Sequence, residues 1–328
     1  MMRRCFSSRR GRWRNGGGDE ENALVDSEFG KKTMNKVNAL LAAHREKSYG
    51  PRIPSAKETM RFQKAMAKKQ ERKLSPAYLA QPIFRPGSPA RELFGNKTML
   101  DYEDKVPETV FPGTIHVIST LEEEMMLRPT LEAMKIVGVD CEMKPNMFRS
   151  FASGPIALVQ LASHDVSILY RVRWDGTWNP TLTFPGLSHV MAASNVVKVG
   201  HGCDLDFKGM QQCGLATNIT STVDTLPVAS KVGCLKPNLR AMGMVWRSVQ
   251  VSKAMQTSDW EAAVLSPEQV QYAATDAWLA RQVMLGLMQF EPARQFLAPR
   301  NYSPDASSLV TDRQAILDAL LSAASEEQ

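Results

Sequence analysis

Apolar positions in this chain recur at helical spacing first and gather into strand-like runs later. Met34, Val37, Leu40 and Leu41 fall three and four residues apart and predict a helix over 31–50. Met60, Phe62 and Met66 predict a second over 55–75, less regularly. From Ser75 to Pro112 six prolines (Pro76, Pro82, Pro86, Pro89, Pro107, Pro112) break any long period, which predicts a linker or a strap lying over the domain. The pattern changes near Thr114. Ile115–Ile118 reads as a strand, Ser119 to Glu123 resembles a capping box, and a helix is expected to run to about Met134. Strands follow at 136–142, 155–162 and 166–170, with a turn near His164-Asp165. A loop with Trp174 and Trp178 leads to a helix near 186–193, a strand at 196–200, a helix from about Asp204 and a short strand over 219–223; the remainder reads as mostly helical. Three hairpin-like strands followed by alternating helices and strands predict an α/β sheet with helices packed on it.

The stretch Ile136-Val137-Gly138-Val139-Asp140-Cys141-Glu142-Met143 carries the first chemistry. Side chains alternate faces along a strand, so Asp140 and Glu142 project from one face and Cys141 from the other. Two carboxylates side by side at the end of a buried strand repel each other. A divalent cation between them is the usual answer.

Three later stretches could complete such a site. Val199 to Phe207 ends a strand and begins a helix, placing Asp204 or Asp206 at a strand's carboxyl edge, where ligands gather in open α/β sheets. Thr222-Val223-Asp224-Thr225 is another strand end. Tyr272 and Asp276 stand four residues apart, one turn apart on the same helix face.

Taken in order, Asp140-x-Glu142, His201-Gly-x-x-x-Asp206 and Tyr272-x-x-x-Asp276 resemble the three motifs of the DEDDy 3′→5′ exonucleases, the group of RNase D, its relative in the nuclear exosome and the Werner-type exonuclease. The resemblance covers about residues 112–290. It includes Gly154 to Gln160 after the first motif, and Ser258-Asp259-Trp260 with Leu265-Ser266-Pro267-Glu268 before the third. It implies a ribonuclease H-like mixed sheet flanked by helices, with two divalent ions, Mg²⁺ or Mn²⁺, held by Asp140, Glu142, Asp206 and Asp276. Two ions roughly 3.5–4 Å apart can activate a water and stabilise the leaving 3′ oxygen. Tyr272 would orient the attacking water, since a phenol with a pKa near 10 is a weak base. Spacing from His201 selects Asp206 over Asp204, which then reads as an N-cap, and Asp224 reads as structural. Met143, His201 and Lys253 are candidate substrate contacts. Met143 could equally be a core methionine, and His201 a strand-end hydrogen-bonding residue. Lys253, Gln256 and Trp260 read as substrate or packing positions without distinction.

Charge divides the chain. Residues 1–30 carry six arginines against five acids, 31–100 carry 16 basic residues against four acids, and 101–328 carry 18 against 25. A basic arm on an acidic body suggests an arm that contacts polyanions or a partner, and a body that holds cations. The first 18 residues hold six arginines and no acid, a composition that predicts a mitochondrial transit peptide and a matrix location. Five cysteines with no CxxC pairing argue against a disulfide framework or zinc ribbon. No apolar run approaches 18 residues, so no membrane partner is expected.

The chain is therefore expected to comprise a transit peptide over 1–30 and a basic helical N-terminal extension with its strap over 31–111. An exonuclease domain over 112–290 and a short helical tail over 291–328 would follow. The expected activity is trimming of single-stranded RNA 3′ ends, with release of nucleoside 5′-monophosphates. The arm would grip RNA or dock an RNA-processing complex. DNA as substrate, as in the Werner-type branch, and a non-catalytic RNA-binding subunit are the alternatives.

Overall fold

The computed structural model describes residues 75–103, 105–143, 156–174, 177–178, 183–252, 255–256, 258–298 and 313–327, with isolated helical positions at 57, 60, 61 and 64. The expected transit peptide, the helix over 31–50, most of the helix over 55–75, Gly154-Pro155 and Lys253 lie outside the described residues. Residues 51–328 form one compact unit.

The proline-rich segment does more than link. Pro76 and Pro89 each open a short helix, α1 (Pro76–Leu79) and α2 (Pro89–Phe94). Proline at the first helical position loses no hydrogen bond, and the preceding serine caps the turn. Ser75 accepts from the amide of Tyr78 and Ser88 from that of Arg91. A 3₁₀ turn comes next, at Met99–Asp101. Ile83, Phe84, Ala90, Met99 and Phe111 are buried in the main core, so the expected domain boundary at 111/112 is not a boundary in packing. The strap is also pinned by charge, through the Arg240–Glu103 pair at 2.6 Å.

The sheet begins with β1 (Thr114–Ile118). Thr120 then caps α3 (Leu121–Met126) through a capping box with Glu123, and α4 (Arg128–Ala133) comes after it. The single helix expected over 121–134 is thus two, broken at Leu127 because Pro129 can be accommodated only in a first turn. Next come β2 (Ile136–Met143), β3 (Ile156–Ala162), β4 (Val166–Arg171) and a small hairpin, β5 (Arg173–Trp174) with β6 (Thr177–Trp178), in place of the expected loop. The remaining elements are α5 (Pro185–Ala192), β7 (Val197–Gly200), α6 (Asp204–Gln212), β8 (Thr222–Asp224), α7 (Thr225–Val232), α8 (Leu239–Arg247), α9 (Pro267–Met288), α10 (Glu291–Leu297) and α11 (Arg313–Glu326). The strand order is β1-β4-β3-β2-β7-β8. β3 runs antiparallel to both β2 and β4, while β7 and β8 run parallel to β2. Setting aside the added edge strand β1, this is the ribonuclease H-like topology.

Helices cover both faces, and β2 is shared between them. Val137, Val139 and Cys141 enter the core layer that includes residues of α5 and α6. Ile136 enters the layer beneath α9, and alternation turns Gly138, Asp140 and Glu142 the same way. α9 lies close against β2 at Gly138, where any Cβ would overlap the carbonyl oxygen of Ala277. Ala273, Ala274 and Ala277 keep the contacting stretch of the helix thin. Gly138→Ala should therefore cost about 1–3 kcal/mol and lift the helix that carries Asp276; urea denaturation checks this, and an unchanged midpoint would refute the close packing.

The described helices after 290, expected as a tail, also contribute to the core. Ile316, Leu317, Leu320 and Ala324 of α11 are buried in the main cluster. Arg281 of α9, itself buried, donates to the carbonyl of Ile136 and forms a two-armed pair with Glu327.

Candidate active site

At the carboxyl end of β2 the side chains of Asp140 and Glu142 meet Asp276 from α9. Each offers an oxygen, and the three oxygens lie within 4.8 Å of one another. All donors are carboxylate oxygens, which suits a hard divalent cation rather than a thiolate- or imidazole-seeking one. The electrostatics agree. Burial pushes the Asp140 carboxyl up to about 6. Glu142 is raised well above its usual range, by burial first and then by the charges of Asp140, Asp276 and Asp206. Carboxylates this poor at holding their charge lack a counter-charge that a cation would supply.

Asp206 stands in the first turn of α6, outside the 4.8 Å group but facing it. Burial, then the charges of Asp140 and Asp224, raise it to about 8. Asp204 is not the N-cap expected of it; Cys203 occupies that position, and Asp204 is the exposed first residue of the helix. Asp224 has a structural role. Its carboxylate accepts from the amides of Gly202, Cys203 and Leu226, so it caps α7 and holds the turn that launches α6. Gly202 takes a left-handed conformation in that turn (φ +71°), which glycine adopts without strain.

Tyr272 lies one turn before Asp276. Burial raises its hydroxyl pKa most, followed by the charges of Asp276 and Glu142 and a hydrogen bond to Asp276. Its proton is thus held at the Asp276 carboxylate. The strap fixes this turn of helix from the other side: Thr275 Oγ1 accepts from the amide of Phe111 at 2.9 Å, and Gln271 Nε2 donates to the carbonyl of Phe111 at 2.9 Å.

Among the described residues, the remaining candidates have other neighbours than the carboxylates. His201 Nδ1 lies 2.6 Å from Thr225 Oγ1, and burial lowers the ring's pKa against the opposing pull of Asp224 and the Pro237 carbonyl. That is the strand-end hydrogen-bonding role. Met143 is half-buried against the core layer that contains Cys141, on the sheet face away from Asp140 and Glu142. Gln256 is exposed, and Trp260 is fully buried with its ring 6.0 Å from that of Tyr272, which makes Trp260 a packing residue.

The loop that carries Trp260 is anchored by residues that no sequence motif singles out. Arg173 and Glu261 form an ion pair at 2.8 Å with 2% and 5% of their side chains exposed. Arg171 donates to the carbonyls of Ala262 and Ala263. The one local signal is the pair of arginines directly after the apolar run of β4. Removing one partner of a buried pair leaves a desolvated charge, so Glu261→Ala should cost at least about 3 kcal/mol and loosen Trp260 from Tyr272. Thermal unfolding together with tryptophan fluorescence checks this, and wild-type values in both would contradict it.

Fold and site together define a ribonuclease H-like domain able to hold a divalent cation at the carboxyl edge of its sheet. Comparison with known proteins gives the particular family: a family model described as 3′-5′ exonuclease matches residues 115–289, just over half of the chain, and the chain belongs to that family. Over 197 residues it is 27% identical to human exonuclease 3′-5′ domain-containing protein 2, covering 56% of this chain and 30% of the human protein. The chain thus corresponds to under a third of that relative's length. Among solved structures, the Aedes aegypti Nibbler EXO domain aligns at 18% identity over 65% of this chain and 99% of the other, with a TM-score of 0.48. Escherichia coli RNase D aligns at 19% identity over 66% and 51%, with a TM-score of 0.47.

Proposed function

We propose that this chain is a metal-dependent 3′→5′ exoribonuclease. In this reading Asp140, Glu142, Asp206 and Asp276 hold two divalent ions, Mg²⁺ or Mn²⁺. Such ions would supply a nucleophilic water at neutral pH and neutralise charge on the leaving 3′ oxygen. The observation that carries the reading is the convergence of Asp140, Glu142 and Asp276 from two elements far apart in sequence, with the Glu142 carboxyl raised by burial first and then by the charges of the other two and of Asp206. Tyr272 orients the attacking water beside Asp276, its hydroxyl too weak an acid to serve as the base. RNA is favoured by the likeness of the ordered motifs to RNase D, and by the 16 basic residues against four acids over 31–100, a segment suited to polyanion contact or to docking an RNA-processing complex. An arginine-rich, acid-free start favours the mitochondrial matrix.

DNA is the second reading, favoured by 30% identity over 108 residues to a protein named DNA polymerase I from Aquifex aeolicus. Matched 5′-labelled RNA and DNA single strands in Mg²⁺ and in EDTA separate the two, because only RNA offers the 2′-hydroxyl. Stepwise shortening of RNA from its 3′ end, abolished by EDTA, is expected. Preferential shortening of DNA would replace this reading with the second. Intact strands of both kinds in Mn²⁺ would leave a nucleic-acid-binding subunit.

A further inference from the structure

β3 is apolar except at Gln160, whose side chain is fully buried. Neither its amide nitrogen nor its carbonyl oxygen has a hydrogen-bond partner among the described residues. A native fold seldom retains such a group without a use for it. Its surroundings narrow that use. On the same face of the sheet its neighbours along the strand are Leu158 and Ala162. Across the strands they are Leu169 on β4 and, in direct register, Asp140 on β2. Only Asp140 among these four can form a hydrogen bond through its side chain. Directly opposed residues on antiparallel strands have Cβ atoms about 4.5–5.5 Å apart, a gap that a glutamine carboxamide spans by rotating.

We propose that Gln160 is a positioning residue of the metal centre, its amide N–H donating to the Asp140 carboxylate and orienting that ligand when a cation is bound. The inference rests on the metal-binding reading of the carboxylate cluster. Partners of this kind, which touch a ligand rather than the metal, fix carboxylate orientation and commonly matter about 10- to 100-fold in affinity. Within the fold the amide has no partner among the described residues, so its loss should not harm folding. The two requirements pull in opposite directions, which separates this role from ordinary packing.

The test compares full-length wild type with Gln160→Met, which keeps the shape without the polar atoms, and with Gln160→Leu. Calorimetric titration with Mn²⁺ alone is expected to show affinity reduced about 10- to 100-fold in both variants. Urea denaturation in EDTA is expected to show metal-free stability equal to or above wild type. Wild-type Mn²⁺ affinity in either variant would overturn the inference and leave the nuclease reading standing. Failure of both variants to fold, or metal-free stability lost in step with affinity, would overturn it too by making Gln160 a packing residue. A wild-type chain that took up no Mn²⁺ would overturn the metal reading and this inference together.

Discussion

Asp140→Asn is expected to abolish hydrolysis while making the metal-free protein more stable. Asparagine keeps the shape of the side chain but removes a charge from a cluster in which Asp140 raises both Glu142 and Asp206. As a ligand it cannot replace a carboxylate. Losing several kcal/mol of charge stabilisation at the reacting phosphate corresponds to a rate loss on the order of 10³-fold or more. In EDTA at about pH 8, the same substitution relieves like-charge repulsion, and the unfolding free energy should rise. Single-turnover hydrolysis in Mn²⁺ and urea denaturation in EDTA measure the two effects. Hydrolysis within about tenfold of wild type would remove Asp140 from the metal set. A variant both inactive and less stable than wild type would show that the loss came from misfolding.

The metal-free protein should also lose stability as pH rises from about 4 to about 8, and added Mn²⁺ should restore it. Asp206 is raised from 3.8 to about 8 and Asp140 from 3.8 to about 6. A carboxyl whose folded pKa lies above its unfolded value binds protons more tightly when folded. Its contribution is fully present below about 3.8 and is lost as pH climbs through the folded value. Asp206, raised by burial and then by the charges of Asp140 and Asp224, is a large contributor to that loss. Cations bind the deprotonated cluster and favour the folded state by mass action, so they should flatten the curve at its upper end. Urea denaturation in EDTA at several pH values checks this against Asp206→Asn, which should lose the part of the slope that Asp206 supplies and keep the part due to Asp140 and Glu142. Parallel curves for wild type and variant would mean that Asp206 does not sit in the repulsive cluster.

Much of this is legible in local sequence. The apolar run of β2 ending in Asp140-x-Glu142 specifies a buried strand with both acids on one face, because alternation is a property of the backbone alone. Thr120 with Glu123 specifies a helix start, and Tyr272 and Asp276 specify two groups on one helix face, for equally local reasons. The proline-rich segment is less transparent. Its prolines suggest interruptions, whereas Ser75-Pro76 and Ser88-Pro89 each combine a capping side chain with a residue that suits a first helical turn. The residues on either side of a proline decide whether it breaks a helix or begins one.

Sequence alone determined which groups carry charge, which strand and helix present them, and the order in which the motifs occur, since these depend on residue chemistry and short-range geometry. Tertiary structure decided which of them meet. Asp276 reaches Asp140 because Gly138 lets α9 settle onto β2, a contact between elements more than a hundred residues apart in the chain. Asp206 faces the cluster without joining its tightest group, and His201 and Met143 turn elsewhere. Gln160 lies opposite Asp140 only through the register of two antiparallel strands. Register and helix seating are set by packing summed over the whole sheet, so no stretch of sequence contains them.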